Sequence, residues 1–552
     1  MSQAEWEYFN EWSVLSIVFL SGGLGPSRLW TETMPQLALQ EPTLRYGAMA
    51  VGALRKAALL QDAATVSLHG ECRHVGNAIA YYCEALRLQA VATPCREGLR
   101  TALLSSLLFI CFEAQRGNTA CALKHITHGF CMLNELAYCT DRAQGLVSIA
   151  PAPPLFVQDV LDCYKPLELQ SRSFIDSYSR FFFPRQAKSE SQDGAMSHFN
   201  AVDGSLLEVK TTSKRPSKPF ASRPSCSPCH SSSAAAPSRR MGLVPFSKVT
   251  PYFRPKLSSI LSLQDMPLVF QHMDEALGYW ALVQKNMVQH IPMLAMATSQ
   301  LALTRVASER ELEMKLFSMR KNPLISKFIA ESRYWLQRWN AAYLELYQLS
   351  TCEPVNSSSH HLKAINLRVE YLILYVYTTM TRFSGISTAR ALTPQYMEIN
   401  LLCERLLRAQ QHCGFAMDCG WTWPLFVSAF ACRDAAVRAD AIRILGQYPR
   451  RNALRDSRVF RAIALKNEEV EGHVVSEGSE GEQWLRLRRR ELIFQDLGSS
   501  VDVVYRSSQK SEGSGQWELV EEAADFAVLA DGRLAWRRVE VSDSASIMAG
   551  VC

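Results

Sequence analysis

The sequence lacks most of the short signatures that announce chemistry, and each absence argues against a class of function, though not against a site assembled from residues remote in sequence. There is no G-x-x-x-x-G-K-[ST] loop to cradle phosphates, no H-E-x-x-H pair to hold zinc, no G-x-S-x-G elbow and no G-x-G-x-x-G turn. The glycines of SGGLGPSR around Gly22 lack both the lysine and the strand-to-helix setting of a phosphate loop, and read as an ordinary turn. With the usual enzyme signatures missing, the chain is expected not to be an enzyme. Long apolar runs are missing too. The two longest, Ala102 to Phe112 and Tyr371 to Tyr377, fall short of the roughly 18 to 20 residues that cross a bilayer, so no membrane partner is expected. The opening MSQAEWEYFNEW is acidic and aromatic, whereas a secretory signal starts basic and continues apolar; an intracellular protein is expected. A net charge of +6 over 552 residues is too small to mark a surface that coats nucleic acid. The 16 cysteines are scattered through helical-looking segments, which implies buried free thiols rather than a disulfide framework.

What is present is an ordinary globular balance, 48% hydrophobic and 20% charged, in a chain too long for a single core. Residues 42–61 read as a helix opened by a proline at its first turn, with Leu44, Ala48, Val51 and Leu54 on one face. Residues 74–89 place Ile79, Tyr82, Cys83 and Leu86 at helical spacing, residues 98–112 are apolar almost all round, and after a break at Gly117 and Asn118 helical periodicity resumes over 119–136. Residues 185–247 are rich in Ser, Pro, Lys and Arg and read as a disordered linker. Helical patterning then returns. Ile329, Tyr334, Trp335, Trp339, Ala342 and Leu346 mark one helix, 362–379 a second, and Val437, Ala441, Ile444 and Leu445 a third, with Arg438, Asp440 and Arg443 on its wet side. A Gly, Glu and Ser stretch interrupts between Gly472 and Gly481. FAVLADGRLAWRRVEV then alternates around Asp531-Gly532, a dipeptide suited to a tight hairpin turn. The expected fold is mainly α, an irregular multi-helix or superhelical body broken by the linker, with a small C-terminal β element. The expected division is 1–184 and 248–470 as two helical parts, 185–247 as linker, and 471–552 as an acidic linker and hairpin-containing tail.

Two clusters carry metal-ligating residue types. Cys121, His125, His128 and Cys131 share a helix face, but ten residues span about 15 Å along the axis, too far for one ion held by bonds of roughly 2 Å; packing is the expected role. Cys226-Ser-Pro-Cys229-His230 is a lone C-x-x-C without a second pair. No metal or cofactor site is expected. The run of Lys214, Arg215 and Lys218, with Arg223, Arg239 and Arg240, reads equally as a nuclear-import signal or as solvated linker. Arg486, Arg488, Arg489 and Arg490 near Trp484 and Leu487 suggest a charged strand face.

Several separated blocks go further. Trp30, Gln40-Glu41-Pro42 and Ala53-Leu54 come first, then Ala80-Tyr81-Tyr82 and Leu86. Leu107 to Glu113 follows with Gly117-Asn118, Ala122, His125 and Gly129. Last come Pro424-Leu425-Phe426, Cys432-Arg433-Asp434, Arg438, Ala441-Ile442, Leu445, Pro449-Arg450-Arg451, Asp456-Ser457 and Glu468-Glu469. In order and spacing they resemble the regulatory region of fungal zinc-cluster transcription factors, over most of residues 1–470 outside the linker. The late block is expected to be structural: Pro424 and Asp434 set helix boundaries, and Arg433 and Arg438 pair with an acid such as Glu468 or Glu469.

The resemblance implies a nuclear transcription regulator of RNA polymerase II genes whose helical body receives a signal or partner and relays it to the transcription machinery or another regulator, a homodimer being compatible with it. The family's DNA-binding module, a Cys-x2-Cys-x6-Cys half followed by a similar second half that binds two zinc ions, has no counterpart in this chain. Zinc and DNA are therefore expected only through a module encoded upstream or supplied by a partner. The competing expectation is a helical scaffold or co-regulator acting through protein contacts alone, since a fold does not fix a function.

Overall fold

The computed structural model describes residues 1–18, 20, 28–62, 68–92, 96–142, 154–171, 173–174, 262–288, 301–352, 359–379, 385–511, 513–529 and 531–542. All belong to one compact unit formed by Met1–Phe182 and Leu243–Cys552. The stretch read as linker, 185–247, lies outside them, as do the glycines around Gly22.

The N-terminal part is helical throughout: α1 (Gln3–Val18), a single π turn (Leu29–Thr33), α2 (Met34–Gln40), α3 (Pro42–Asp62), α4 (Leu68–Val91), α5 (Arg96–Arg116), α6 (Thr119–Arg142) and α7 (Pro154–Ser171). Pro42 opens α3, where its missing N–H has no partner to lose. The stripe of Leu44, Ala48, Val51 and Leu54 is buried as its spacing requires, and Tyr8, Phe9, Trp12 and Leu15 form the buried face of α1. The two helices approach closely at Gly52, where a Cβ would lie 1.9 Å from the carbonyl oxygen of Tyr8. On α4 the buried face is rotated from the expected one. Ala78, Tyr82 and Ala85 point inward, whereas Ile79 and Cys83 are exposed. Small alanines let the α4 backbone lie against α3, and that packing outweighs the larger apolar area of Ile79. Helix α5 is buried nearly all round, from Leu103 to Phe112. It ends at Gly117, whose φ of +81° few other residues tolerate, and Asn118 Oδ1 accepts from the Cys121 amide at 3.3 Å to open α6.

The second part continues with α8 (Met273–Val288), α9 (Glu309–Arg320), α10 (Pro323–Cys352), α11 (Ser359–Thr379), α12 (Ile386–Ala391), α13 (Thr393–Ala409), β1 (Phe415–Ala416), α14 (Thr422–Ala431), α15 (Ala435–Gln447), β2 (Arg451–Asn452), β3 (Arg455–Asp456), α16 (Ser457–Val474) and α17 (Glu480–Arg488). Trp335, Trp339 and Ala342 of α10 are buried, with Trp339 meeting Trp280 and Tyr343 at 4.5 Å each, while Tyr334 faces outward. Ser479 and Glu482 form a reciprocal capping box at the start of α17, which marks the end of the Gly/Glu/Ser break.

The chain closes in β4 (Glu491–Asp496), β5 (Val501–Lys510), β6 (Trp517–Asp525) and β7 (Arg537–Val539), an antiparallel sheet in that order. The protein is thus mainly helical with a small C-terminal sheet. Asp531-Gly532 does turn the chain tightly, the Leu529 amide donating to the Arg533 oxygen at 2.8 Å and the Gly532 amide to the Leu529 oxygen at 2.9 Å, and the sheet has two further tight links. Gly498 and Gly515, at φ +87° and +66°, sit in the two hairpin links, and Gly532, at +78°, turns the chain within the longer link from β6 to β7. Strand β5 is buried on both faces over Val501–Ser508, so its two-residue alternation does not appear as an apolar and a polar side.

No described helix is long and apolar enough to cross a membrane. Because the α1/α3 contact leaves no room for a side chain at position 52, Gly52→Val is expected to cost about 1–3 kcal/mol, read as a lower urea midpoint. An unchanged midpoint would show that these helices do not meet there.

Candidate functional site

The late block folds into a tight corner between α14 and α15, built on helix ends. Pro424 lies in the first turn of α14, and Leu425 and Phe426 are buried, Phe426 packing on Phe460 of α16 with centroids 4.9 Å apart. At the other end the last carbonyls of α14 lack helical partners, and arginines supply the donors. Arg433 donates from Nε to the Ala431 oxygen at 3.0 Å and from Nη2 to the Phe430 oxygen at 3.1 Å, and Arg438 Nη1 donates to the Cys432 oxygen at 3.1 Å. Cys432 itself is buried, its amide donating to the Ser428 oxygen. Asp434 starts the next helix by accepting the Val437 amide at 3.0 Å.

Both arginines converge on a carboxylate, but on neither Glu468 nor Glu469. Glu471 of α16, one turn further on, is the partner: Arg433 Nη1 lies 3.1 Å and Arg438 Nη1 3.0 Å from Oε1, and Arg490 Nη1 2.8 Å from Oε2. Glu469 faces solvent, whereas position 471 falls on the buried face of α16. Arg490, fully buried, also donates to Asn467, rests 5.0 Å from the Phe430 ring, and shares the Asn467 side chain with the Tyr505 hydroxyl. Two expectations are corrected here. Arg438 is buried rather than on the wet side of α15, because it is needed at the α14 terminus. Arg486, Arg488, Arg489 and Arg490 do not form a strand face; Arg489, half-buried just past the end of α17, donates to the Val306 oxygen. Arg486 and Arg488 end helix α17 and Arg490 precedes β4, and all three are buried, with Arg486 4.4 Å from the Trp517 ring and Arg488 4.5 Å from Trp484. Burial alone would raise the pKa of Glu471, but the three guanidiniums override it and hold the carboxyl below its ordinary range.

A second junction joins blocks that are far apart in sequence. Arg451 Nη1 donates to the Ala114 oxygen at the end of α5, and Arg451 also pairs with Asp456. A Cβ on Gly117 would lie 2.8 Å from Arg451 Nη1, so the arginine tip packs directly against a glycine that its φ already requires. Asp456 caps α16 through the Arg458 amide at 2.9 Å. Nearby, Gln170 of α7 donates to the Asp418 oxygen and accepts from the Leu454 amide, each at 2.9 Å.

A third arrangement is built on an acid that helical periodicity does not place. Glu370 is the single acid in the largely apolar run Leu362–Thr379. That rarity was the available signal. Its carboxylate lies in the interior and is held by neutral donors: Trp280 Nε1 at 2.6 Å, Gln284 Nε2 at 2.9 Å and Asn366 Nδ2 at 2.8 Å. Asn366 in turn accepts from Trp421 Nε1 at 2.8 Å. Burial raises the pKa of Glu370, and the three hydrogen bonds only partly offset it.

The remaining candidates separate. Cys121, His125, His128 and Cys131 lie on α6 as expected. His125 Nε2 is 2.9 Å from the Tyr82 hydroxyl, and burial lowers its pKa to about 4, so its imidazole is neutral near pH 7. Among the described residues no group of three or more His, Cys, Asp or Glu side chains is placed to hold a metal ion. Lys214, Arg215, Lys218, Cys226, Cys229 and His230 lie outside the described residues. Compared with models of protein families, with curated proteins and with solved structures, the chain matches none of them.

Two stability predictions follow from opposite shifts. Glu471→Gln leaves three arginines without their carboxylate and is expected to cost about 3–5 kcal/mol. Its ionised form is favoured in the fold, so its contribution is present above its ordinary value of 4.5 and lost as pH falls through the depressed folded value. Glu370 behaves in reverse. Its raised folded pKa means that the fold holds the proton more tightly, so stability declines as pH rises from 4.5 through the raised value. Glu370→Gln should remove that decline. Urea midpoints measured against pH test both, and unchanged slopes in the two variants would refute the assignments.

Proposed function

We propose that the chain is the regulatory body of a fungal zinc-cluster type transcription regulator, a helical part that works by recognition rather than catalysis and relays a signal to the transcription machinery in the nucleus. DNA contact and zinc belong, in this reading, to a separate module. The observation that supports it most is the Arg451 junction. The blocks that carry the resemblance lie more than 300 residues apart in sequence, yet the Gly117-Asn118 turn and the Pro449-Arg450-Arg451 and Asp456-Ser457 blocks meet through the Ala114 oxygen and Asp456. The Cys432-Arg433-Asp434 block likewise has a physical task, ending one helix and starting the next. A sequence pattern whose members support one another in space is what a shared helical body requires.

The test is a reporter assay in a fungal host with the full chain fused to a heterologous DNA-binding domain, alongside imaging of the tagged chain. A several-fold change in reporter output, with the chain entering the nucleus, is the expected result. No change in output, with the chain excluded from the nucleus under inducing and non-inducing conditions alike, would contradict the proposal and favour a cytoplasmic scaffold.

A further inference from the structure

Arg455 stands apart from the other buried arginines. It follows the β2–β3 turn, paired through its backbone with Asn452, and is only 6% exposed. Arg433, Arg438 and Arg490 share Glu471, Arg506 is held by Glu491 and Glu521, and Arg451 has Asp456. The Arg455 guanidinium has no carboxylate and no side-chain hydrogen bond among the described residues. It lies over the Trp423 ring, 4.9 Å from its centroid, and the ionisable groups that act on it are the Cys419 thiol and the Tyr377 phenol.

Those three neighbours are held in place. Trp423 Nε1 donates to the Tyr377 hydroxyl at 2.9 Å, fixing the indole against α11, and Trp423 and Cys419 flank the Trp421 anchor to Asn366. Cys419, Trp423 and Tyr377 are each part-exposed, while Arg455 beneath them is buried. Three part-exposed side chains, one of them stacked on the guanidinium, thus neighbour a buried cation. A guanidinium without a counter-ion in such a place is poorly compensated, the indole face being its one close partner among the described residues. Asp456, the next residue, cannot serve, since strand alternation turns it to the opposite side, where Arg451 and Arg458 engage it.

We infer that Arg455 is the anchor of a binding site for a small organic monocarboxylate, entering between Trp423, Tyr377 and Cys419. A planar carboxylate matches the two-pronged donor geometry of a guanidinium, and one negative charge balances the single unpaired cation. A phosphate dianion would bring more charge than the site neutralises. The ligand's apolar part would lie against the Trp423 and Tyr377 rings. The site stands whether or not the chain is a transcription regulator.

Titration of the purified full chain with benzoate, followed by tryptophan fluorescence and by thermal unfolding, tests this, with benzamide and inorganic phosphate as controls. Benzoate is expected to give a saturable response and raise the unfolding temperature, and the controls to give neither. Arg455→Met should abolish the response, Arg455→Lys should weaken it at least tenfold, and Arg455→Met without ligand should be as stable as the parent chain or more so. Absence of a saturable benzoate response in the parent chain would overturn the inference. An equal response in Arg455→Met, or equal binding of benzamide, would also overturn it. So would a marked loss of stability in Arg455→Met, which would make the arginine a packing residue.

Discussion

Glu471 is the point on which the C-terminal half of the molecule turns. Without the Glu471 carboxylate three buried guanidiniums would face one another in a medium that screens charge poorly, and without any one arginine the helix-end carbonyls or the Asn467 side chain it serves would lose a donor. The three arginines come from the α14 terminus, the body of α15 and the residue before β4. One side chain thus fixes the angle between two helices and ties both to the first strand of the sheet. Each arginine also does local work: Arg433 and Arg438 satisfy helix-end carbonyls, and Arg490 shares Asn467 with Tyr505 of β5.

The same economy appears at Asp456, which caps α16 and pairs with Arg451, itself reaching back to α5. Charged residues here are chiefly structural connectors between elements distant in sequence. That is why the late block, which contains acids, bases and a cysteine, resembles a site in composition but behaves as a hinge of the architecture. The carboxylate site inferred at Arg455 lies on the other face of β3 from Asp456.

How much of this was legible in the sequence depends on the kind of residue. Helices whose apolar residues keep one face, such as α3 with Leu44, Ala48, Val51 and Leu54, read correctly almost to their ends, and so did the apolar-all-round α5 and the cap at Asp434. Reading failed where polarity was taken for exposure. Arg438, Arg486, Arg488 and Arg490 look solvated in one dimension, yet each is buried because a carboxylate, a helix end or an aromatic ring waits for it elsewhere in the fold. Size misled too, since Ala78 and Ala85 were favoured over Ile79 on α4. Glu370 and Arg455 could not be placed, because their partners come from helices and turns that periodicity does not bring together.

The Glu471 cluster makes the α14–α16 corner and the sheet a single cooperative structure, with bonds on both sides of the position where sequence alone suggests a boundary. Hydrogen exchange read along the backbone measures this most directly. The slowest amides of α14, α16 and β5 are expected to open together, with one common free energy that falls equally for all three in Arg490→Met. Exchange of β5 through an opening independent of α14 and α16, unaffected by that substitution, would contradict it.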